Sequence, residues 1–248
     1  MNQRLITIVR WLVILTMPFF LGFSTIRLFI NTAEGYVRYE YGKENFPEDL
    51  NRYNEAERAR LALEPFGEEE RRELALVAVD YLQRSEAAED VIYLLEEQQL
   101  PDGSGPLYNQ AEISHMVDVK NVTDAIGRLN WIATAIVLGG LAFLFSRPET
   151  RPEAYRALMQ GGMATTLVLL FIGLFILLAW DIFFVQFHEL LFPPGSWTFR
   201  YSDSLIRLFP EKFWLDFGTL LSGTALFLGV AVAVIGYLLW RNRVLMGR

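Results

Sequence analysis

The chain has no cysteine and only two histidines, His115 and His188, in 248 residues. The missing thiol excludes a disulfide-stapled outer domain, a cysteine nucleophile and thiolate metal sites. The scarcity of imidazole leaves only two side chains whose ordinary pKa lies near neutrality. There is no G-x-S-x-G elbow and no Walker sequence, so neither a strained serine nucleophile nor a phosphate-cradling loop has a candidate. His188-Glu189-Leu190-Leu191-Phe192 begins like a zinc-protease helix, but Phe192 stands where the second imidazole is required. With two histidines in all, a closed zinc site would need carboxylates, and no metal is expected. Positive charge is also short: the net charge is −7, which argues against a nucleic-acid partner.

Apolar residues, by contrast, make up 52% of the chain. They gather in four runs of the length a bilayer crossing needs, about 20 residues each. The runs are Trp11–Ile30, Ala125–Phe145, Ala164–Phe184 and Phe217–Trp240. The first reads as a span rather than a secretory leader. No small-x-small cleavage site follows Phe23, and the apolar stretch continues past Thr25. Arg4 and Arg10 precede the first run, Arg147, Arg151 and Arg156 lie between the second and third, and Arg241, Arg243 and Arg248 close the chain. The positive-inside rule then sets both termini in the cytoplasm and turns residues 31–124 and 185–216 outward. The expected fold is an all-α membrane protein. Residues 1–30 form the first transmembrane helix, 31–124 an acidic extracytoplasmic domain, and 125–248 three further transmembrane helices with an outer aromatic loop at 185–216.

Segment 31–124 carries 22 Asp and Glu against 9 Lys and Arg and is too long for a simple connection, so it should fold. Glu68–Gln83 reads as a helix with an acidic first turn, and Glu86–Gln99 reads similarly. Tyr36–Phe46 is aromatic and alternating, which predicts a small extended element. Pro101-Asp102-Gly103-Ser104-Gly105-Pro106 is a turn cluster. From Asn109 to Phe145 the pattern supports one long helix. His115 lies on it as Glu112-x-x-His115-x-x-Asp118. Three-residue spacing puts both carboxylates on the imidazole's face, where either can fix its tautomer. The alternative is a solvated polar helix face.

His188 follows the third run. If that helix continues, Asp181 and His188 share a face. Asp181 then lies inside the outer edge of the bilayer, at a depth matching Arg27, and the two can pair. Alternatively, Arg27 snorkels to headgroups and Asp181 sits at the interface. In the loop beyond, Trp197, Phe199, Tyr201, Phe213 and Trp214 suit a belt at the lipid–water boundary. Arg200 and Arg207 can meet lipid phosphates.

Two motifs carry a resemblance. One is Glu112-Ile-Ser-His115-Met116-Val-Asp118-Val119-Lys120; the other is Phe187-His188-Glu189-x-Leu-Phe with Trp197, Asp203-x-Leu205-Ile206 and Pro210-Glu211-x-Phe-Trp214 after it. Together with four spans and a large outer segment they resemble the bacterial lipoprotein intramolecular transacylases. Pro193-Pro194-Gly195-Ser196 departs from the family's more polar turn, which bears on loop contacts more than on chemistry.

The resemblance implies an acyltransferase at the outer face of the bacterial plasma membrane. It implies transfer of one acyl chain from the glycerol ester of a diacylglyceryl-cysteine lipoprotein to its N-terminal amine, leaving a lyso-form product and needing no cofactor. The partners implied are such lipoproteins and membrane lipid. The expected catalytic pair is His115 as base, backed by Glu112 or Asp118, and His188 as acid or oxyanion stabiliser, or the reverse, since the sequence does not order them. Asp181, Arg27 and Glu189 are supporting candidates. Trp197, Arg200, Asp203 and Arg207 are candidates for contact with substrate or lipid. Aminolysis of an ester needs a base for the amine and an acid for the departing alkoxide, roles suited to imidazoles. A covalent route through Ser114 or Ser196 has no nucleophile turn to support it. Two other classes compete. One is a non-catalytic module that binds an envelope partner or senses pH. The other is a transporter, disfavoured because the spans hold few deep polar residues besides Arg27 and Asp181.

Overall fold

A computed structural model describes residues 2–43, 46, 56, 58 and 66–246. Among the described residues the chain is helical, with no named strand. In order the helices are α1 (Gln3–Asn31), α2 (Ala33–Tyr41), α3 (Glu68–Gln83), α4 (Ala88–Val91), α5 (Tyr93–Glu96), α6 (Gln110–Phe145), α7 (Arg151–Leu178), α8 (Trp180–Leu191), α9 (Ser204–Leu208) and α10 (Glu211–Met246). Four of them, α1, α6, α7 and α10, are long and apolar enough to cross a membrane. The chain forms two compact units. The first comprises Met1–Arg27, Ala125–Ala179 and Gly218–Arg248; the second comprises Leu28–Asp124 and Trp180–Phe217.

The first unit holds the apolar parts of the four long helices. Its core joins Val13, Ile14, Met17 and Leu21 of α1 to Val137 and Leu144 of α6 and to Ala154 and Ala157 of α7. Large apolar side chains such as Phe171 and Leu178 remain exposed, as a lipid solvent permits. Without a hydrophobic force between helices in lipid, small residues allow the close approach that dispersion needs. Gly162 on α7 sits against the backbone of Gly229 and Ala233 on α10, and Gly236 on α10 against that of Met159 on α7. A Cβ at either glycine would collide with backbone. Arg10 and Glu153 form an ion pair at 2.6 Å in the same unit.

The second unit packs α2 and α3 around Tyr36, Val37, Tyr41, Ala75, Val79 and Phe213. A second cluster gathers Tyr81, Leu95, Leu107, Tyr108, Ile113, Met116, Leu205 and Leu208. The helix expected over Glu68–Gln83 is found there, and the long helix expected from Asn109 begins at Gln110. The turn cluster is present, with Gly103 at a φ of 69° and a single bridge between Gln99 and Pro106. Lys120 is fully buried; its ammonium donates to the Arg84 carbonyl at 2.7 Å, which ties the end of α3 to α6.

Three sequence expectations are corrected. Tyr36–Tyr41 is helical, not extended. Its buried positions are Tyr36, Val37, Glu40 and Tyr41, a helical spacing, while Tyr39 is exposed. Residues 44 and 45 of that segment lie outside the described residues. Glu86–Gln99 forms two single turns, α4 and α5, rather than one helix. The third apolar helix runs over Arg151–Leu178 and does not continue to Phe184. Ala179 leaves the helical region at φ −146° and ψ 50°, and α8 starts afresh. No proline or glycine marks that break. At its far side Trp180 Nε1 donates to Glu211 Oε1 at 2.9 Å, a tertiary contact that periodicity cannot report.

The close approach of α7 and α10 makes a testable demand. Gly162→Leu should destabilise the protein by about 2 kcal/mol or more, because a packed interface must separate. Gly22→Ala, where nothing lies within 4 Å of an added Cβ, should be tolerated. Thermal unfolding of both variants in detergent reads the difference.

Candidate functional site

The site is assembled in the second unit, starting from one carboxylate. Asn109 caps α6: its Oδ1 accepts from the Ala111 amide at 2.9 Å and from the Glu112 amide at 3.1 Å. Glu112 answers through Oε2, which accepts from the Asn109 amide at 2.7 Å. This is a capping box with Asn in the N-cap role. The other oxygen, Oε1, accepts from the Leu205 amide at 2.6 Å, near the start of α9. Glu112 is 1% exposed. Burial raises its carboxyl to about 6, against the lowering effect of the amides of Leu205 and Asn109. One side chain thus closes the first turn of α6 and holds the segment that carries Phe199 and Asp203.

One turn after Glu112, His115 enters a ring of aromatics. Its ring centroid lies 4.9 Å from Phe192, 5.3 Å from Phe199 and 6.3 Å from His188. It is 7% exposed, and its Nδ1 is buried without a hydrogen-bond partner. Burial lowers the His115 imidazole to about 4, and the neighbouring His188 adds to the shift. His188, on α8, is packed by Phe184 at 4.0 Å, Trp197 at 5.0 Å and Phe192 at 5.5 Å. Its pKa is also lowered by burial, partly offset by the Phe184 carbonyl. Nδ1 lies 2.7 Å from that carbonyl oxygen. A carbonyl can only accept, so Nδ1 carries the hydrogen and donates, and Nε2 keeps a free lone pair. Two uncharged imidazoles therefore stand nearly parallel, 24° apart, in an aromatic enclosure. Such a pair can take up and return a proton and can donate to a developing anion.

The two histidines, Glu112 and Trp197 come together here, although not as spacing implied. Neither Glu112 nor Asp118 hydrogen-bonds His115. Glu112 is engaged by backbone amides, and Asp118 is half-buried with no bond to the ring. Glu189 is exposed and accepts from Gln186 Nε2 at 3.0 Å. Asp181 is exposed in the first turn of α8. Arg27 belongs to the first unit, where it donates to Asn130 Oδ1 at 3.0 Å and lies over the Trp131 ring. Arg200 is exposed, and its backbone amide donates to Asp203 Oδ2 at 2.8 Å. Arg207 is 4% exposed and stacks on Phe66 at 4.0 Å, so it does not reach a lipid phosphate. Phe192 and Asn109 are site residues that the sequence reading does not assign, and Phe199 is read there only as part of the lipid–water belt. The Asn109-x-x-Glu112 spacing is a readable signal of the capping box, whereas nothing in the sequence around Phe192 points to a ring against His115. Among the described residues no three His, Asp or Glu side chains are grouped as metal ligands.

Two outcomes test this geometry. Glu112→Ala leaves two buried amides without an acceptor, at about 1–3 kcal/mol for each; thermal unfolding should show the loss, with Glu112→Gln milder. The His115 shift sets a pH dependence. An imidazole with a depressed folded pKa adds stability that is complete above pH 6.5 and is lost as pH falls towards 4. Glu112, raised from 4.5 to about 6, acts oppositely, its contribution present below 4.5 and lost as pH rises through 6. Between pH 6.5 and 4.5, His115→Asn should therefore lose less stability on acidification than wild type does.

The comparisons with known proteins agree with one another. The family model described as lipoprotein intramolecular transacylase Lit matches residues 11–214. An uncharacterized protein of Aquifex aeolicus (strain VF5) is 31% identical over 207 residues, covering 83% of each chain. The chain resembles the in meso structure of the membrane integral lipoprotein intramolecular transacylase Lit from Bacillus cereus, with a TM-score of 0.66 at 20% identity, over 100% of this chain and 99% of that one. A variant of that protein with one histidine replaced by alanine matches with a TM-score of 0.60 at 20% identity, over 97% and 96% of the two chains. At such identities the structural likeness speaks for the fold.

Proposed function

The chain belongs to the lipoprotein intramolecular transacylase family, a family of multi-pass membrane acyltransferases, and from that premise we propose the reaction and the residues that perform it. The substrate is a lipoprotein whose N-terminal cysteine carries a diacylglyceryl thioether and a free α-amine. The amine nitrogen attacks the carbonyl carbon of one glycerol ester. The C–N bond forms, and the carbonyl electron pair moves to oxygen. His188 Nε2 takes the proton that nitrogen loses. Collapse of the tetrahedral intermediate breaks the C–O bond to glycerol, and the departing alkoxide receives that proton from His188. His115, held neutral, donates an N–H hydrogen bond to the leaving oxygen. The products are an amide and a free glycerol hydroxyl on one molecule, so no external donor or cofactor enters.

The observation that carries this reading is the juxtaposition of the two imidazoles, 6.3 Å apart in an aromatic surround. A proton can pass between groups at hydrogen-bond reach or through one bridging oxygen, and this spacing admits a substrate atom between them. The Phe184 carbonyl on His188 Nδ1 favours His188 as the base, one of the two orders that the sequence leaves open. Holding amine and ester on one molecule adds proximity, a term that can reach about 7–11 kcal/mol. Orientation follows from the arginines: cytoplasmic termini, with the acidic segment 31–124 and loop 185–216 forming an extracytoplasmic domain beside the outer leaflet. A pH sensor working in the neutral range is less consistent with His115, whose imidazole is lowered to about 4.

Each histidine should be replaced by asparagine in a strain lacking other lipoprotein acyltransferases. Mass spectrometry of the N-terminal lipopeptides should then show that His188→Asn and His115→Asn lose the N-acyl lyso-form by about 10²-fold or more. Unchanged N-acylation by both folded variants would sink the dyad. Because both pKa values are depressed, the acid limb of kcat/KM should begin below pH 6.5; a limb centred above it would contradict the neutral pair.

A further inference from the structure

We propose that Trp197 is a further catalytic residue, whose indole N–H donates to the ester carbonyl oxygen as that oxygen becomes anionic. The inference rests on the acyl-transfer reading above and goes beyond the two histidines. Trp197 Nε1 is buried and has no hydrogen-bond partner. An indole nitrogen is a donor only, so nothing but an acceptor can satisfy it. Leaving a buried donor unpaired is unfavourable, and each such group calls for an explanation.

Its position supplies the explanation. The Trp197 ring lies 5.0 Å from the His188 ring, so the indole that carries the unfilled donor packs beside the proposed base. The segment before it is fixed. The Ser196 amide donates to the Pro193 carbonyl at 3.1 Å, and Ser196 Oγ donates to the same oxygen at 3.0 Å. Gly195 sits at a φ of 80°, in the left-handed region. Proline second and glycine third make a type II turn, which sets the direction in which Trp197 leaves it. A donor held this way is oriented before substrate arrives, the condition under which hydrogen bonds to a developing oxyanion accelerate acyl transfer. The N–H transfers no proton. It stabilises the electron pair that the carbonyl oxygen gains on attack and returns on collapse.

The test is Trp197→Phe, which keeps an aromatic ring against His188 and removes the donor together with part of the indole's volume. Acyl transfer is followed on a synthetic diacylglyceryl-cysteine lipopeptide with detergent-purified full-length protein. The expected result is a kcat lower by about 10²-fold with KM little changed. A kcat within about threefold of wild type overturns the assignment. Should the variant fold poorly, the wild-type indole resonance decides. Addition of a phosphonate monoester analogue of the glyceryl ester should move the Trp197 N–H proton signal downfield, and a bound analogue that leaves it unmoved overturns the assignment. If wild type forms no N-acylated product, the acyl-transfer reading itself has failed. If wild type is active and Trp197→Phe equals it, only the role of Trp197 falls.

Discussion

The site depends on where Glu112 directs its two oxygens. One closes the capping box of α6; the other accepts from Leu205 at the start of α9. A buried carboxylate is unfavourable unless its oxygens are engaged, and helix N-termini offer amides and a positive dipole end together. The same bonds fix the start of the helix that presents His115 and the segment that lays Phe199 against it. Remove the carboxylate, and two elements distant in sequence lose their common anchor. Its effect on the histidine pair is therefore through position.

The aromatic enclosure governs what the histidines can do. Phe184, Phe192, Trp197 and Phe199 pack around the two rings, and this partial removal from water disfavours the imidazolium form of each. A neutral imidazole pair is suited to moving one proton from an amine to an alkoxide. A permanently charged one is not. The Phe184 carbonyl settles the tautomer of His188 without a carboxylate. Backbone does here what the flanking acids were expected to do.

Much of the helical architecture was legible. Four spans, the helix over Glu68–Gln83 and the long helix through His115 follow from periodicity and length, because bilayer thickness and an amphipathic face leave direct traces in hydropathy. Less legible was α2, where the alternating residues Val37, Tyr39 and Tyr41 suggested a strand. The helical set Tyr36, Val37, Glu40 and Tyr41 is the one buried. The break at Ala179 left no trace at all, since no helix-breaking residue stands there. Scarcity makes both histidines stand out in the sequence, but their meeting in space is not legible there, and their supports are proposed from helix-face proximity alone. Sharing a face with a ring does not show where a carboxylate's oxygens point, and the amides of Asn109 and Leu205 claim those of Glu112.

By itself the sequence determined the membrane class, the number of spans and the scarcity of titratable groups, because composition and hydropathy are properties of the chain alone. It also carried the family motifs around both histidines. Only the tertiary structure decided that His115 and His188, 73 positions apart, face one another, that burial lowers the pKa of both, and that Arg207 lies buried on Phe66. The reason is physical. A pKa, a tautomer and an unpaired donor are set by what surrounds a group in space, and residues as distant as Phe184 and Trp197 from α6 become its surroundings only once the chain has folded.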